Sequence, residues 1–204
     1  MLARIEFDGA PAPDFVDINE NNLVAAVSNP EVRVFGKGNS IRVLAVDCGM
    51  KHNIVRELAR RGAEVRYMLS LSNIHPLILC ICAPTLLSCC QVTVVPWDYK
   101  FSDVISDYHG LFLSNGPGDP TVCTKTIDEL KKVIALEGDA VRPIFGICLG
   151  NQLLSLAAGA TAHKLPFGNR GQNQPVRNTM TGECYITPQN HGYAIDDSSL
   201  PAGS

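Results

Sequence analysis

Ile41–Val46 is a short, almost unbroken apolar run, the pattern of a strand buried on both faces of a parallel sheet. It stops at Asp47, Cys48 and Gly49. From His52 to Arg61 the period changes, with Ile54, Val55, Leu58 and Ala59 on one helical face and Gly62 placed to end the helix. The same alternation recurs downstream. Val92–Val95 reads as a strand before Pro96, Leu111–Leu113 as a strand before a Gly/Pro loop, and Ile127–Leu136 as a helix. Arg142–Cys148 is a further short strand, followed by a helix over Leu149–Ala158 that Gly159 ends. Four strands alternating with helices predict an α/β domain on a parallel sheet, whose ligands sit at the carboxyl ends of the strands.

The flanks break this pattern. Residues 1–40, with Gly9, Pro11, Pro13, a polar run over Asp17–Asn22 and the Gly36–Ser40 cluster, predict a linker around one short apolar helix, Leu23–Val27. Between Arg66 and Asp98 there is no Asp, Glu, Lys or Arg, a length that brings a membrane span into view. Asn73, His75, Pro76 and Pro84 argue against one. The window is also far longer than a usual helix-to-strand connection. Joining Glu64 directly to Val92 restores a short turn into the strand. Any Val codon begins with GT and a Gln codon can end in AG, so Val65 to Gln91 reads as a retained intron of 27 codons, with a lineage insertion as the alternative. If translated, the segment is expected to be a poorly packed apolar excursion.

Composition narrows the function. A net charge of −3 and a pI near 5.9 supply no basic footprint for nucleic acid. Eight Cys in 204 residues fall short of a disulfide scaffold, and the N-terminus has no signal core, so a reducing cytoplasm is expected. Cys80, Cys82, Cys89 and Cys90 lack zinc-site spacing, and no metal is predicted.

Three motifs carry chemistry. In Phe145–Gln152 a strand meets a helix through Cys148, with Gly146 and Gly150 two positions to either side, as a nucleophile on a tight elbow requires. The helix N-terminus is expected to lower the thiol pKa, and the N–H of Leu149 to face a developing oxyanion. The plainer reading of Cys148 is a small buried residue. Leu113–Pro120 is a Gly/Pro loop whose backbone N–H groups suit an oxyanion hole, though such a loop is more often only a turn. His191, beside Gly192 and expected just after a strand, could be a base, a substrate contact or a structural histidine.

At these motifs together the chain resembles the class I (triad) glutamine amidotransferase domain of carbamoyl phosphate synthetase, most closely the form fused into multifunctional eukaryotic pyrimidine-pathway proteins. The resemblance rests on Asn21–Ala25, Ala45–Asn53, Val94–Asp98, Leu113–Pro120, Phe145–Gln152, Phe167–Pro175 and Gln189–Tyr193. It implies an open, doubly wound, mostly parallel flavodoxin-like sheet over 41–204, truncated at the C-terminus, with 1–40 an exit segment from a mostly missing N-terminal domain. It also implies glutamine hydrolysis through a Cys148 thioester, with ammonia passed to a synthetase domain or large subunit for carbamoyl phosphate, serving pyrimidine or arginine synthesis. Gly116 and Leu149 match the oxyanion positions. Gly118, Gln152, Asn190, His191, Gly192 and Tyr193 match glutamine contacts, with His191 lining the site and not acting as the base. No cofactor is implied in this domain, since ATP and Mg belong to the synthetase; neither is a nucleic acid or membrane partner. The family's His-Pro-Glu motif is absent, as none of the five histidines is followed two residues later by Glu or Asp. The chain alone is therefore expected to be inactive, and a non-catalytic pseudo-glutaminase is the alternative. An unrelated α/β cysteine hydrolase is a third reading, with no support from the Leu113–Pro120 loop.

Overall fold

The computed structural model describes residues 8–9, 21–60 and 90–200. A five-stranded sheet forms the centre, in the order β1-β3-β2-β4-β5. Its strands are β1 (Arg33–Phe35), β2 (Ile41–Asp47), β3 (Cys90–Pro96), β4 (Gly110–Leu113) and β5 (Ile144–Gly146). β2 to β5 are mutually parallel, and β1 runs antiparallel on the β3 edge. The expected linker thus contributes an edge strand as well as α1 (Leu23–Val27).

The apolar runs of β2 and β4 are unbroken because both faces are covered. Leu44 and Val46 of β2 and Leu111 and Leu113 of β4 pack with α3 (Thr124–Ile134) and α4 (Leu149–Ala157). Val43, Ala45 and Phe112 face the other way and pack with Val55 and Leu58 of α2 (His52–Arg60). Helices on both faces make the sheet doubly wound. Chain order reverses between β2, which leads outward to β3, and β4, which leads the opposite way to β5. Such a switch point opens a crevice at the carboxyl ends of the strands.

After α4 the chain forms a long antiparallel pair, β6 (Thr161–Arg177) and β7 (Cys184–Asp196), that the apolar pattern does not announce. His191 lies within β7 and not after a strand. The charge-free window falls outside the described residues except at its end, where Cys90 and Gln91 belong to β3 and pair with Ile41 and Arg42. The Cys80, Cys82 and Cys89 positions are likewise outside them. Among the described residues no helix is long and apolar enough to cross a membrane, and no cluster of His, Cys, Asp and Glu is placed to hold a metal.

Candidate active site

The ends of β2, β4 and β5 are laced together. Asp47 Oδ1 accepts from the N–H groups of Gly49 (2.8 Å) and Met50 (2.7 Å), and its Oδ2 accepts from Asn29 N–H at 3.1 Å. Ser114 Oγ accepts from Cys48 N–H at 2.9 Å, joining the loop after β2 to the loop after β4. The Gly116–Gly118 loop is thereby pressed against its neighbours. A Cβ on Gly116 would lie 2.5 Å from Leu149 Cδ2 and would strike the Cys48 carbonyl, so only glycine fits.

Cys148 stands where β5 turns into α4, with φ +53°, the one non-glycine residue in the left-handed region among those described. Holding a side chain there costs about 1–3 kcal/mol and persists only where the surroundings enforce it. The enforcement comes from glycines. A Cβ on Gly146 would be 2.5 Å from Asn151 N, and one on Gly150 would run into the Leu113 carbonyl. The two glycines let strand and helix approach closely enough to push Cys148 outward, as an elbow requires.

The sulfur opens into a cavity of about 200 Å³. Its wall brings together Gly116, Gly118, Cys148, Gln152, Asn190, His191, Gly192 and Tyr193 from the predicted set, with Pro117 and Arg170 added. Leu149 is buried beneath it, and its backbone N–H acts on the Cys148 sulfur in favour of the thiolate. The Cys148 thiol donates to the Asn190 carbonyl at 3.6 Å. Gln152 Nε2 donates to the Tyr193 carbonyl at 2.8 Å, tying α4 to β7.

Burial pushes the Cys148 thiol above its ordinary pKa, and the Leu149 N–H opposes this without reversing it. The thiol is thus not acidified as expected from its place at a helix N-terminus: desolvation of the thiolate by burial is the larger effect and the Leu149 N–H the smaller.

His191 does not bond Cys148. Its Nδ1 lies 2.8 Å from the Tyr193 carbonyl oxygen and its Nε2 lies 3.0 Å from Gln189 Oε1. A carbonyl only accepts, so Nδ1 carries a hydrogen; Nε2 is then met by the amide NH₂ of a turned Gln189, or is itself protonated. Both nitrogens are occupied within β7, the arrangement of a positioned wall residue.

Arg170 had no assigned role in the sequence, although it lies within the Phe167–Pro175 motif. It sits on β6 directly across from Asn190. The β6–β7 register breaks between Lys164 and Asn169, and the guanidinium folds back over this break. A Cβ on Gly168 would be 2.6 Å from Arg170 Cζ, and one on Gly192 would be 3.6 Å from its Nη2. Two bare backbone positions thus seat the guanidinium on the cavity wall.

Residues 78–204 match the family model for glutamine amidotransferase class-I. The chain is 46% identical over 203 residues to a mitochondrial carbamoyl-phosphate synthase [ammonia] of Aquarana catesbeiana, aligned over 100% of this chain and 11% of that protein. It is 42% identical to the multifunctional protein pyr1-3 of Dictyostelium discoideum, over 94% of this chain and 8% of that one. It is 41% identical to the carbamoyl phosphate synthase arginine-specific small chain of Saccharomyces cerevisiae, over 98% of this chain and 43% of the relative. The chain thus spans less than half the length of each of these relatives. The solved structure of a GMP synthase component from Thermoplasma acidophilum superposes with a TM-score of 0.51 at 21% identity, covering 79% of this chain and 69% of that one, a likeness of fold alone.

Proposed function

The chain belongs to the class I glutamine amidotransferase family, and from that premise we propose that it is the glutamine-hydrolysing part of a carbamoyl phosphate synthetase. The observation that carries this reading is Cys148 at φ +53° on the floor of the cavity walled by Gly116, Gly118, Gln152, Asn190, Gly192 and Tyr193. The Cys148 thiolate attacks the side-chain amide carbon of glutamine and forms a C–S bond. The negative charge that develops on the amide oxygen is held by the backbone at Leu149 and in the Gly116 loop. Ammonia leaves with an added proton, and water then cleaves the thioester to glutamate and restores the thiol. The ammonia passes to a synthetase partner in the cytoplasm, and ATP and Mg belong to that partner.

The step that this chain supports poorly is proton transfer. A buried thiol must lose its proton and the leaving nitrogen must gain one, and His191 has both ring nitrogens engaged elsewhere. General acid–base catalysis is worth about 10² to 10⁴-fold, so the chain alone turns over glutamine slowly by that factor relative to a site with a base.

A second reading, a non-catalytic interaction module, draws on the engagement of both His191 ring nitrogens within β7, away from Cys148. The two readings part on glutamine binding. Excess L-glutamine should protect Cys148 from iodoacetamide, read by peptide mass spectrometry, while L-asparagine should not. Labelling at an unchanged rate under saturating L-glutamine would favour the module and remove the glutaminase reading.

A further inference from the structure

Resting on the glutaminase reading, we propose that Arg170 is a specificity residue of the site, which selects substrates with a free α-carboxylate. Among the described residues it is the one Lys, Arg, Asp or Glu on the cavity wall. None of the ion pairs or hydrogen bonds there engages it. An exposed arginine is normally a solvated surface charge, but this one has its guanidinium folded back over Gly168 and near Gly192 and lines the cavity. Each of those positions lacks the Cβ that would crowd the guanidinium, at 2.6 Å from its Cζ for Gly168 and at van der Waals distance for Gly192.

The ladder sets where this charge stands relative to the chemistry. Arg170 pairs with Asn190, and the Asn190 carbonyl is 3.6 Å from the Cys148 sulfur. In an antiparallel pair, directly opposed residues point to the same face. The guanidinium and the nucleophile both line one small cavity. Glutamine has its reactive amide and its α-carboxylate at opposite ends of a short aliphatic stem, so a substrate with its amide on Cys148 turns its carboxylate toward the outer wall. A planar fork of N–H donors matches a carboxylate through two parallel hydrogen bonds. Among the described residues no acidic side chain lines the cavity to compete for the guanidinium.

The test uses two glutamine analogues with a chloromethyl ketone in place of the side-chain amide, one with a free α-carboxylate and one with an α-carboxamide. In each, the Cys148 thiolate displaces chloride, so that a C–S bond forms and chloride leaves. Labelling rates at Cys148 are followed by mass spectrometry on the full chain. The acid should label faster than the carboxamide by roughly tenfold, the lower end for a charge-assisted contact that keeps some solvent. Arg170→Gln should bring the two rates within about twofold, and Arg170→Lys should retain an intermediate preference because charge remains without the fork. The ratio is taken within each variant, so a general change in thiol reactivity or folding cancels. An acid preference that survives Arg170→Gln overturns the assignment of Arg170. If neither analogue labels unmutated Cys148 faster than chloroacetone does, the glutaminase reading itself fails, and Arg170 with it.

Discussion

The thiol of Cys148 is hydrogen-bonded to the backbone carbonyl of Asn190, 3.6 Å away. One partner sits at the turn from β5 into α4 and the other lies within the β6–β7 pair. The nucleophile is thus held as a protonated donor by an element outside the sheet that presents it. The contact stabilises the thiol over the thiolate, in the same direction as burial.

Iodoacetamide labelling of Cys148 should rise with pH along a curve whose midpoint lies above about 8.5, the value of a free cysteine. Burial is the first cause, and the Leu149 N–H recovers only part of it. Rates are measured from pH 6 to 10 by mass spectrometry of the Cys148 peptide. A midpoint below that of a free thiol would mean that the helix N-terminus dominates the site after all.

Cys48 and Cys123 should make the fold sensitive to alkali. Burial pushes both thiols up, helped at Cys48 by the neighbouring Cys123 and Asp47 and at Cys123 by Asp119; Cys123 is raised to about 12 and Cys48 further. With the unfolded value near 8.5, the unfolded chain releases these protons first as pH rises. The contribution is therefore complete below about pH 8.5 and is lost progressively toward pH 12. In urea titrations over pH 8.5 to 11, Cys123→Ala should flatten the fall in stability by up to about 1.4 kcal/mol per pH unit. An unchanged slope would show that Cys123 titrates in the folded state as it does when unfolded.

Gly150→Ala sets two effects against each other. An alanine inside α4 gains about 1 kcal/mol of helix propensity. Its Cβ would also meet the Leu113 carbonyl and come within 2.7 Å of Leu113 Cβ, and such overpacking costs about 1–3 kcal/mol. Leu113 is fully buried in β4, so neither side can yield easily. The clash should win, lowering Tm by roughly 2–4 °C for each net kcal/mol in a domain of this size. A raised Tm in a thermal melt would contradict the close approach of α4 to β4.

Removal of residues 65–91 at the transcript level should leave the sheet intact. Cys90 is fully buried and Gln91 half-buried at the start of β3. Joining Glu64 to Val92 would place Ala63 and Glu64 at those two positions, a small apolar residue where the strand is buried and a polar one where it is half-open. Two residues, Arg61 and Gly62, then connect α2 to β3, within the usual range for such a loop. A chain lacking 65–91 should show an unchanged cooperative thermal melt, and loss of that melt would refute an intact sheet; cDNA sequenced across the junction tests the intron reading, which a dominant transcript with all 27 codons would refute.

The four parallel strands and the elbow were legible in the sequence, whereas the edge strand β1 was not. Strands buried on both faces must be apolar throughout, so Ile41–Val46 and Leu111–Leu113 announced themselves. The elbow needs glycine at two positions close to the nucleophile along the chain, so Phe145–Gln152 was legible too. Local sequence is enough where local backbone geometry sets the requirement. It was silent on β6, where Pro166, Gly168, Gly171 and Pro175 are poor strand formers and Phe167 stands 90% exposed, so neither propensity nor alternation marks the strand. Only the tertiary structure decided which residues of β6 face Cys148, because pairing register is a relation between distant segments. That register brought Arg170 opposite Asn190 and onto the cavity wall. The state of the thiol was likewise a tertiary outcome. A helix N-terminus can be read from sequence, but the burial that raises this thiol depends on everything folded around the sulfur.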